Sequence, residues 1–365
     1  MNFKRLGTIG AIAIAGTILL SSCATAADSE DSGEETASDL TGTLVGAGAS
    51  SQQSAQEAWV AGFQTANENV TVEYDPIGSG GGRDTFIGGG SQFAGSDRAF
   101  SVEEIAEDNF ASCVPGTGIL EIPAYISPIA IIFNLDGIDS LNLDSATIAG
   151  IFTGEITNWN DDAIVSQNDG VELPDLGITA VHRADDSGTT ANFTDYLSAA
   201  APDAWTVGQI ETWPTEFGGE AAPQTSGVVD AVTNGTGTIG YADASRAGDL
   251  GTVAVKVGDE YVPYSPEAAA AIVDASPFAE GRSETDLAVD LDRATAESGV
   301  YPVVLISYLI ACNEYASSEG VDLVKGYLSY IISDEGQSAA ADSAGSAPIS
   351  SSLFEKAQPL VDAIK

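Results

Sequence analysis

Apolar positions along the chain fall into short alternating or continuous runs, and these interleave with stretches of helical spacing. Val70, Val72 and Tyr74 alternate with polar residues, the period of a half-buried strand, and the run ends at Pro76 and a glycine loop. Leu44 and Val45 lead into Gly46-Ala-Gly-Ala-Ser50 and then a helix carrying Ala58, Trp59 and Phe63. Ile148, Ile151 and Phe152 have helical spacing behind Asp144 or Ser145 as a cap. Residues 178–181 read as a strand, followed at once by Ser187-Gly-Thr-Thr and a helix burying Phe193, Tyr196 and Leu197. Residues 253–264 read as a hairpin turning at Gly258-Asp259, residues 303–311 as a buried strand, and Val321, Val324, Leu328 and Ile331 mark an amphipathic helix. No internal repeat is visible. Strands alternating with helices predict an α/β protein with largely parallel sheets. In such sheets ligands sit beyond the carboxyl ends of strands, where loops meet helix N-termini. The loops at Ser50, Ser79, Asp97 and Ser187 all fall at junctions of that kind.

The N-terminus follows another pattern. Lys4 and Arg5 precede an apolar run over 6–20, and Leu20-Ser21-Ser22-Cys23 resembles a bacterial lipobox. Residues 1–22 are therefore expected to be a lipoprotein signal peptide, with Cys23 lipidated and the protein exported to the outer face of the cytoplasmic membrane or the periplasm. Residues 23–43, rich in Ala, Ser, Thr, Asp and Glu, read as a disordered acidic tether. The two remaining cysteines, Cys113 and Cys312, suggest one disulfide in an exported chain.

Composition adds a constraint. At 365 residues the chain has room for two domains, and 44% hydrophobic with 18% charged residues fits a globular protein. A formal charge of −42 argues against nucleic acid as a partner and would repel a free anion at long range. Yet between Ala24 and Ser245 the only cations are Arg83, Arg98 and Arg183, each in or beside a loop of small residues. Backbone donors, hydroxyls and a guanidinium fork are what a tetrahedral oxyanion needs. With one histidine, His182, and two cysteines besides the lipidated Cys23, metal sites and catalytic triads are poorly provisioned, and no cofactor is expected. His182 beside Arg183 invites a hydrolase reading with Ser187 as nucleophile. Strand alternation puts His182 on the opposite face from Arg183, and Asp-Asp-Ser-Gly is not a nucleophile elbow, so a non-enzyme is expected.

Taken in order, Gly46-Ala-Gly-Ala-Ser50, Ile77-Gly-Ser79-Gly-Gly-Gly, Phe93-Ala-Gly-Ser-Asp97 and Arg183-Ala-Asp-Asp-Ser187-Gly188-Thr189 resemble the phosphate-binding component of bacterial ABC phosphate importers. Phe152-Thr-Gly-Glu-Ile-Thr-Asn-Trp159 and Gly237-Thr-Ile-Gly-Tyr241 fit as well, and the resemblance runs from about Leu44 to the C-terminus. It implies a two-domain periplasmic-binding-protein-like fold of class II type, with inorganic phosphate buried in the interdomain cleft and a two-crossing hinge. The first domain would comprise 44–125 and 302–365, the second 126–301. The contacts it implies are Ser50, Ser51, Ser79, Asp97, Arg183, Ser187, Gly188 and Thr189, with Asp185 supporting Arg183. The partner would be a membrane permease, and the protein a monomer. Where the family has Thr-Phe-Pro this chain reads Ser50-Ser51-Gln52, which favours Ser50 over Ser51 as a ligand. Arg83 and Arg98 are not carried by the motifs and read as structural or rim cations. Rival readings are another oxyanion in the same fold (sulfate, molybdate or phosphonate), a secreted phosphate-ester hydrolase, and an adhesion or sensing lipoprotein. Asp97 separates the first of these: hydrogen phosphate offers a proton that a carboxylate can accept, whereas sulfate does not.

Overall fold

A run of 15 residues, Ile119–Phe133, is buried along its whole length and forms the strand from which the rest of the molecule hangs. The computed structural model describes residues 40–365. Cys23, the signal peptide and nearly all of the expected tether lie outside the described residues. In chain order the elements are β1 (Gly42–Gly48), α1 (Gln53–Ala66), β2 (Val70–Asp75), α2 (Ser79–Ile87), β3 (Phe93–Ser96), α3 (Val102–Ala106), β4 (Ile119–Phe133), β5 (Ser140–Leu143), α4 (Ser145–Phe152), α5 (Asp162–Val165), β6 (Thr179–Arg183) and α6 (Gly188–Ala200). They continue as β7 (Glu220–Ala222), α7 (Gln224–Asn234), β8 (Thr238–Asp243), β9 (Gly251–Val257), β10 (Glu260–Val262), α8 (Pro266–Ala275), β11 (Val304–Cys312), α9 (Val321–Ile332), α10 (Asp334–Ala344) and α11 (Ser351–Asp362).

β4 changes partners part-way. Ile119 to Pro128 pair antiparallel with β11, and Ile129 to Phe133 pair antiparallel with β8. The strand order β2-β1-β3-β11-β4 builds a first lobe, and β4-β8-β6-β7, with β9 also on β4, builds a second. The sheets are mixed rather than largely parallel. β1, β2 and β3 run parallel, as do β6, β7 and β8, but the two long strands, β11 and the lobe-spanning β4, are antiparallel to their neighbours. Pro123 and Pro128 sit inside β4 because the ladder gives way beside them. The register slips between Ser307 and Tyr308 next to Pro123, and at Pro128 the strand leaves β11 for β8. The slip frees the Ala124 carbonyl, which takes Gln337 Nε2 at 2.9 Å.

The local chemistry agrees with these elements. Asp144 caps α4 through the Thr147 N–H at 2.8 Å, and Ser187 caps α6 through the Thr190 N–H at 3.2 Å. Residues 277–293, within the stretch expected in the second domain, return to the first lobe. Leu287 N–H donates to the Glu121 carbonyl at 2.9 Å, and Ala288 packs with Phe86 and Phe100. Cys113 and Cys312 are joined by a disulfide with a Cα–Cα distance of 5.3 Å, tying the loop before β4 to the end of β11.

Candidate functional site

Four strand ends meet where the lobes touch. β1 ends at Gly48 before a 3-10 turn over Ser50–Gln52, β2 leads to α2 at Ser79, β3 leads to Asp97, and β6 leads through Arg183 to α6 at Gly188. A helix start leaves its first N–H groups without intrahelical acceptors. The turn at Ser50–Ser51, α2 at Ser79 and α6 at Gly188–Thr189 therefore all offer donors here. Gly80 N–H is already used, donating across the lobes to the Asp186 carbonyl at 3.1 Å. Ser187 N–H is used too, by the Glu211 carbonyl at 3.2 Å, and its hydroxyl oxygen caps α6, so Gly188 and Thr189 carry the free donors of that helix.

Asp97 is the centre of the arrangement and is only 3% exposed. Ser51 Oγ donates to its two carboxylate oxygens at 2.7 and 2.8 Å, Ser307 Oγ to one at 2.6 Å, and Thr189 Oγ1 to the other at 3.0 Å. Its own N–H donates to Ser79 Oγ at 3.1 Å. Burial raises the Asp97 pKa, against the lowering pull of these hydroxyls and of the Arg183 charge.

Arg183, 2% exposed, reaches the same place from the second lobe. Its Nε donates to Asp185 Oδ1 at 2.9 Å, its Nη2 to Asp185 Oδ2, and its Nη1 to Thr189 Oγ1 at 3.4 Å. Asp185 is further fixed by the Gln224 N–H at 2.8 Å. Burial works to raise the Asp185 pKa, but the bonds and charge of Arg183 prevail and hold it below its ordinary value. The lobes are pressed together around this point. At Gly188 a Cβ would stand 2.5 Å from Ser79 Oγ and 2.8 Å from Asp97 Cβ, and at Gly78, φ 100°, it would stand 2.5 Å from Asp185 Oδ2. With the lobes in this position only glycine fits at either place.

The sequence-expected residues thus gather, with one shift of emphasis. Ser51, not Ser50, points its hydroxyl at Asp97. Ser50 Oγ faces Thr225, 3.1 Å from the Thr225 hydroxyl and accepting the Thr225 N–H at 3.1 Å. Sequence reasoning missed Ser307, Thr225, Asn192 and Arg293. Asn192 Nδ2 donates to the Asp97 carbonyl at 2.6 Å, and its Oδ1 accepts from Arg293 Nη2. Arg293 also holds the Pro302 and Val304 carbonyls at 3.2 and 2.9 Å, where the chain re-enters the first lobe. Ser307 carried a readable signal, a lone serine amid the nine buried residues of β11. Gln52 donates to it at 2.6 Å, then accepts from Gln56 at 2.8 Å. His182 stacks on Trp213 at 4.9 Å, with Nδ1 2.9 Å from the Arg183 carbonyl, and burial lowers its pKa. Among the described residues no group of His, Cys, Asp or Glu is placed to hold a metal ion. None of their helices is long and apolar enough to cross a membrane.

The assembly of helix-start N–H groups, hydroxyls and a guanidinium about one buried carboxylate suits a small tetrahedral oxyanion that carries a proton. Residues 33–335 match the model of the PBP superfamily domain. The phosphate-binding protein PstS 3 of Mycobacterium tuberculosis is 32% identical over 375 residues, covering 100% of both chains. This chain belongs to the PstS branch of the PBP superfamily. The Mycobacterium tuberculosis phosphate-binding protein PstS 2 is 31% identical over 379 residues, again across 100% of both. Among solved structures, a high-affinity periplasmic phosphate-binding protein (PfluDING) bound with phosphate is 22% identical. It matches with a TM-score of 0.69 over 87% of this chain and 93% of its own. The mixed α/β, two-domain architecture of this PBP-like fold is the one described above.

Proposed function

We propose that this PstS-family chain captures inorganic phosphate outside the membrane and delivers it to the permease of an ABC importer. The observation that carries the reading is Asp97, a buried carboxylate at the focus of anion-binding donors. An acceptor placed there makes sense for hydrogen phosphate, whose proton it takes when one of the hydroxyls now bonded to it turns to the anion. Ser51, Ser79, Gly188 and Thr189 supply the neutral donors, Arg183 the guanidinium, and Ser187 its hydroxyl hydrogen. Ser50 acts by joining the lobes through Thr225, and no residue here acts as a catalyst. The residue 44–125 and 302–365 segments form the first domain and 126–301 the second, with 277–293 docked on the first. The crossings near Tyr125 and Tyr301 serve as the hinge. Cys23 carries the lipid anchor, and the protein works as a monomer.

Calorimetric titration of protein stripped of bound anion tests the central part. Phosphate is expected to saturate one site per chain, sulfate to bind far more weakly, and a chromogenic phosphate ester to remain uncleaved. Sulfate binding as tight as phosphate, or ester turnover, would defeat the reading. For the anchor, Cys23→Ser should release the protein from the membrane fraction, and unchanged retention would point elsewhere.

A further inference from the structure

Arg83 and Arg98 meet a single carboxylate of the opposite lobe. Arg83, on α2, directs Nη2 to both oxygens of Glu211 at 2.8 Å, and Arg98, just after β3, directs Nε to one of them at 2.7 Å. Glu211 lies in the segment that follows α6. The side chains are 5%, 21% and 16% exposed for Arg83, Arg98 and Glu211, so the cluster is largely withdrawn from water. Arg98 has a second carboxylate in Glu104, at 2.8 and 3.1 Å. Among the described residues Arg83 makes no second ion pair: it has the Ser96 hydroxyl, at 2.8 Å, and the face of Phe100, at 5.9 Å, with Asp186 and Glu104 acting on it only through space. Glu211 is therefore the one carboxylate bonded to Arg83 among the described residues. The same residue's carbonyl holds the Ser187 N–H, at the cap of the helix whose next donors serve the anion.

We propose that Glu211 is the latch that sets how long the anion stays, closing the lobes through Arg83 and Arg98 and releasing both arginines when the lobes part. The proposal rests on the anion-binding reading above. In a chain this acidic, the Arg83 guanidinium freed at the mouth of the cleft, beside an Arg98 that keeps Glu104, gives an incoming anion a local positive field. On closure Glu211 cancels that field, so nothing at the mouth draws the anion back out, and exit requires breaking a carboxylate held by two arginines.

Stopped-flow kinetics with phosphate test this on the full chain. Glu211→Gln should raise the dissociation rate about tenfold and leave the association rate within about twofold, as expected when a short-range ion pair is removed from the closed form. Arg83→Gln should raise dissociation similarly but also slow association at low ionic strength, because the field is weakened as well. The double variant should dissociate no faster than Glu211→Gln alone, since both changes remove one interaction. A purely structural role would instead lower the ligand-free melting temperature, which should hold. If Glu211→Gln does not fold, Arg98→Gln should give the same faster release. Dissociation within twofold of the parent, or additive effects in the double variant, would overturn the latch. A parent that takes up no phosphate would remove the function and the latch together, whereas a parent that binds beside unchanged variants would remove the latch alone.

Discussion

Gly188→Ala tests whether the anion site exists only when the lobes are pressed together. Gly188 is the first residue of α6 and has no positive φ, so alanine suits the backbone and is the better helix former. Its methyl meets the other lobe instead, 2.5 Å from Ser79 Oγ and 2.8 Å from Asp97 Cβ. Ordinary carbon contacts lie at about 3.5–4.0 Å, so the facing surfaces must part by about 1 Å. Ser79 cannot swing clear without giving up the Asp97 N–H. Two bonds span the same gap, from Asn192 Nδ2 to the Asp97 carbonyl at 2.6 Å and from Thr189 Oγ1 to the Asp97 carboxylate at 3.0 Å. An added ångström takes both outside hydrogen-bond geometry. One bond to a charged group and one neutral bond together contribute about 2–4 kcal/mol, so phosphate affinity should fall about 30- to 1,000-fold. Calorimetry gives the affinity, and thermal melting without ligand should show stability equal to the parent or slightly higher. Affinity within threefold of the parent would show that binding does not need the close approach at Gly188.

Arg183→Ala should weaken phosphate binding by about 2–5 kcal/mol, the cost of removing one member of a buried charge contact, with the fold intact. Arg183→Lys should recover little, since an ammonium cannot match the fork held by Asp185; titration of both decides it. Glu121 on β4 gives a pH signature. Burial, with the charge of Asp286, pushes it up to about 8, and its Oε2 has no hydrogen-bond partner among the described residues. A raised folded pKa favours the protonated form, so its stabilising contribution is full below the unfolded carboxylate range and is lost as pH rises toward about 8. Glu121→Gln should therefore gain on the parent between pH 5 and pH 8 in denaturant titrations, and an equal difference at both pH values would contradict this. Removing the Cys113–Cys312 bond opens a link across 199 residues, a loss of about 5 kcal/mol in the chain-entropy model and less in practice. Denaturation midpoints with and without reductant measure it, and coincident midpoints would argue against any such contribution.

The loop from Arg183 to Thr189 was readable because its chemistry is local: the arginine, its aspartate, the cap and the helix donors lie within seven residues. Bonds made across the cleft were not. Thr225 meets Ser50 from 175 residues away, and Glu211 meets Arg83 from 128, and neither spacing leaves a periodic trace. β4 was obscured for another reason. Prolines disfavour a strand interior, and the two here are tolerated only because the ladder slips at one and changes partner at the other. The preference for Ser50 over Ser51 follows from the family motif. The motif does not show that the turn over Ser50–Gln52 aims the second hydroxyl, not the first, at Asp97.

If Asp97 reads the proton on the anion, paired titrations of phosphate and sulfate on the parent and on Asp97→Asn should reveal it. The parent should prefer phosphate strongly, because sulfate has no proton to offer and would set its oxygen against a buried carboxylate of like charge. In Asp97→Asn the charge is gone and an amide donor stands in its place. Phosphate can still bind, through either end of the amide, while sulfate should gain relative to it at neutral pH and fixed ionic strength. A collapse of the phosphate-to-sulfate preference is the expected outcome. A preference unchanged by the substitution would rule out proton reading and leave Asp97 as a buried support for Ser51, Thr189 and Ser307.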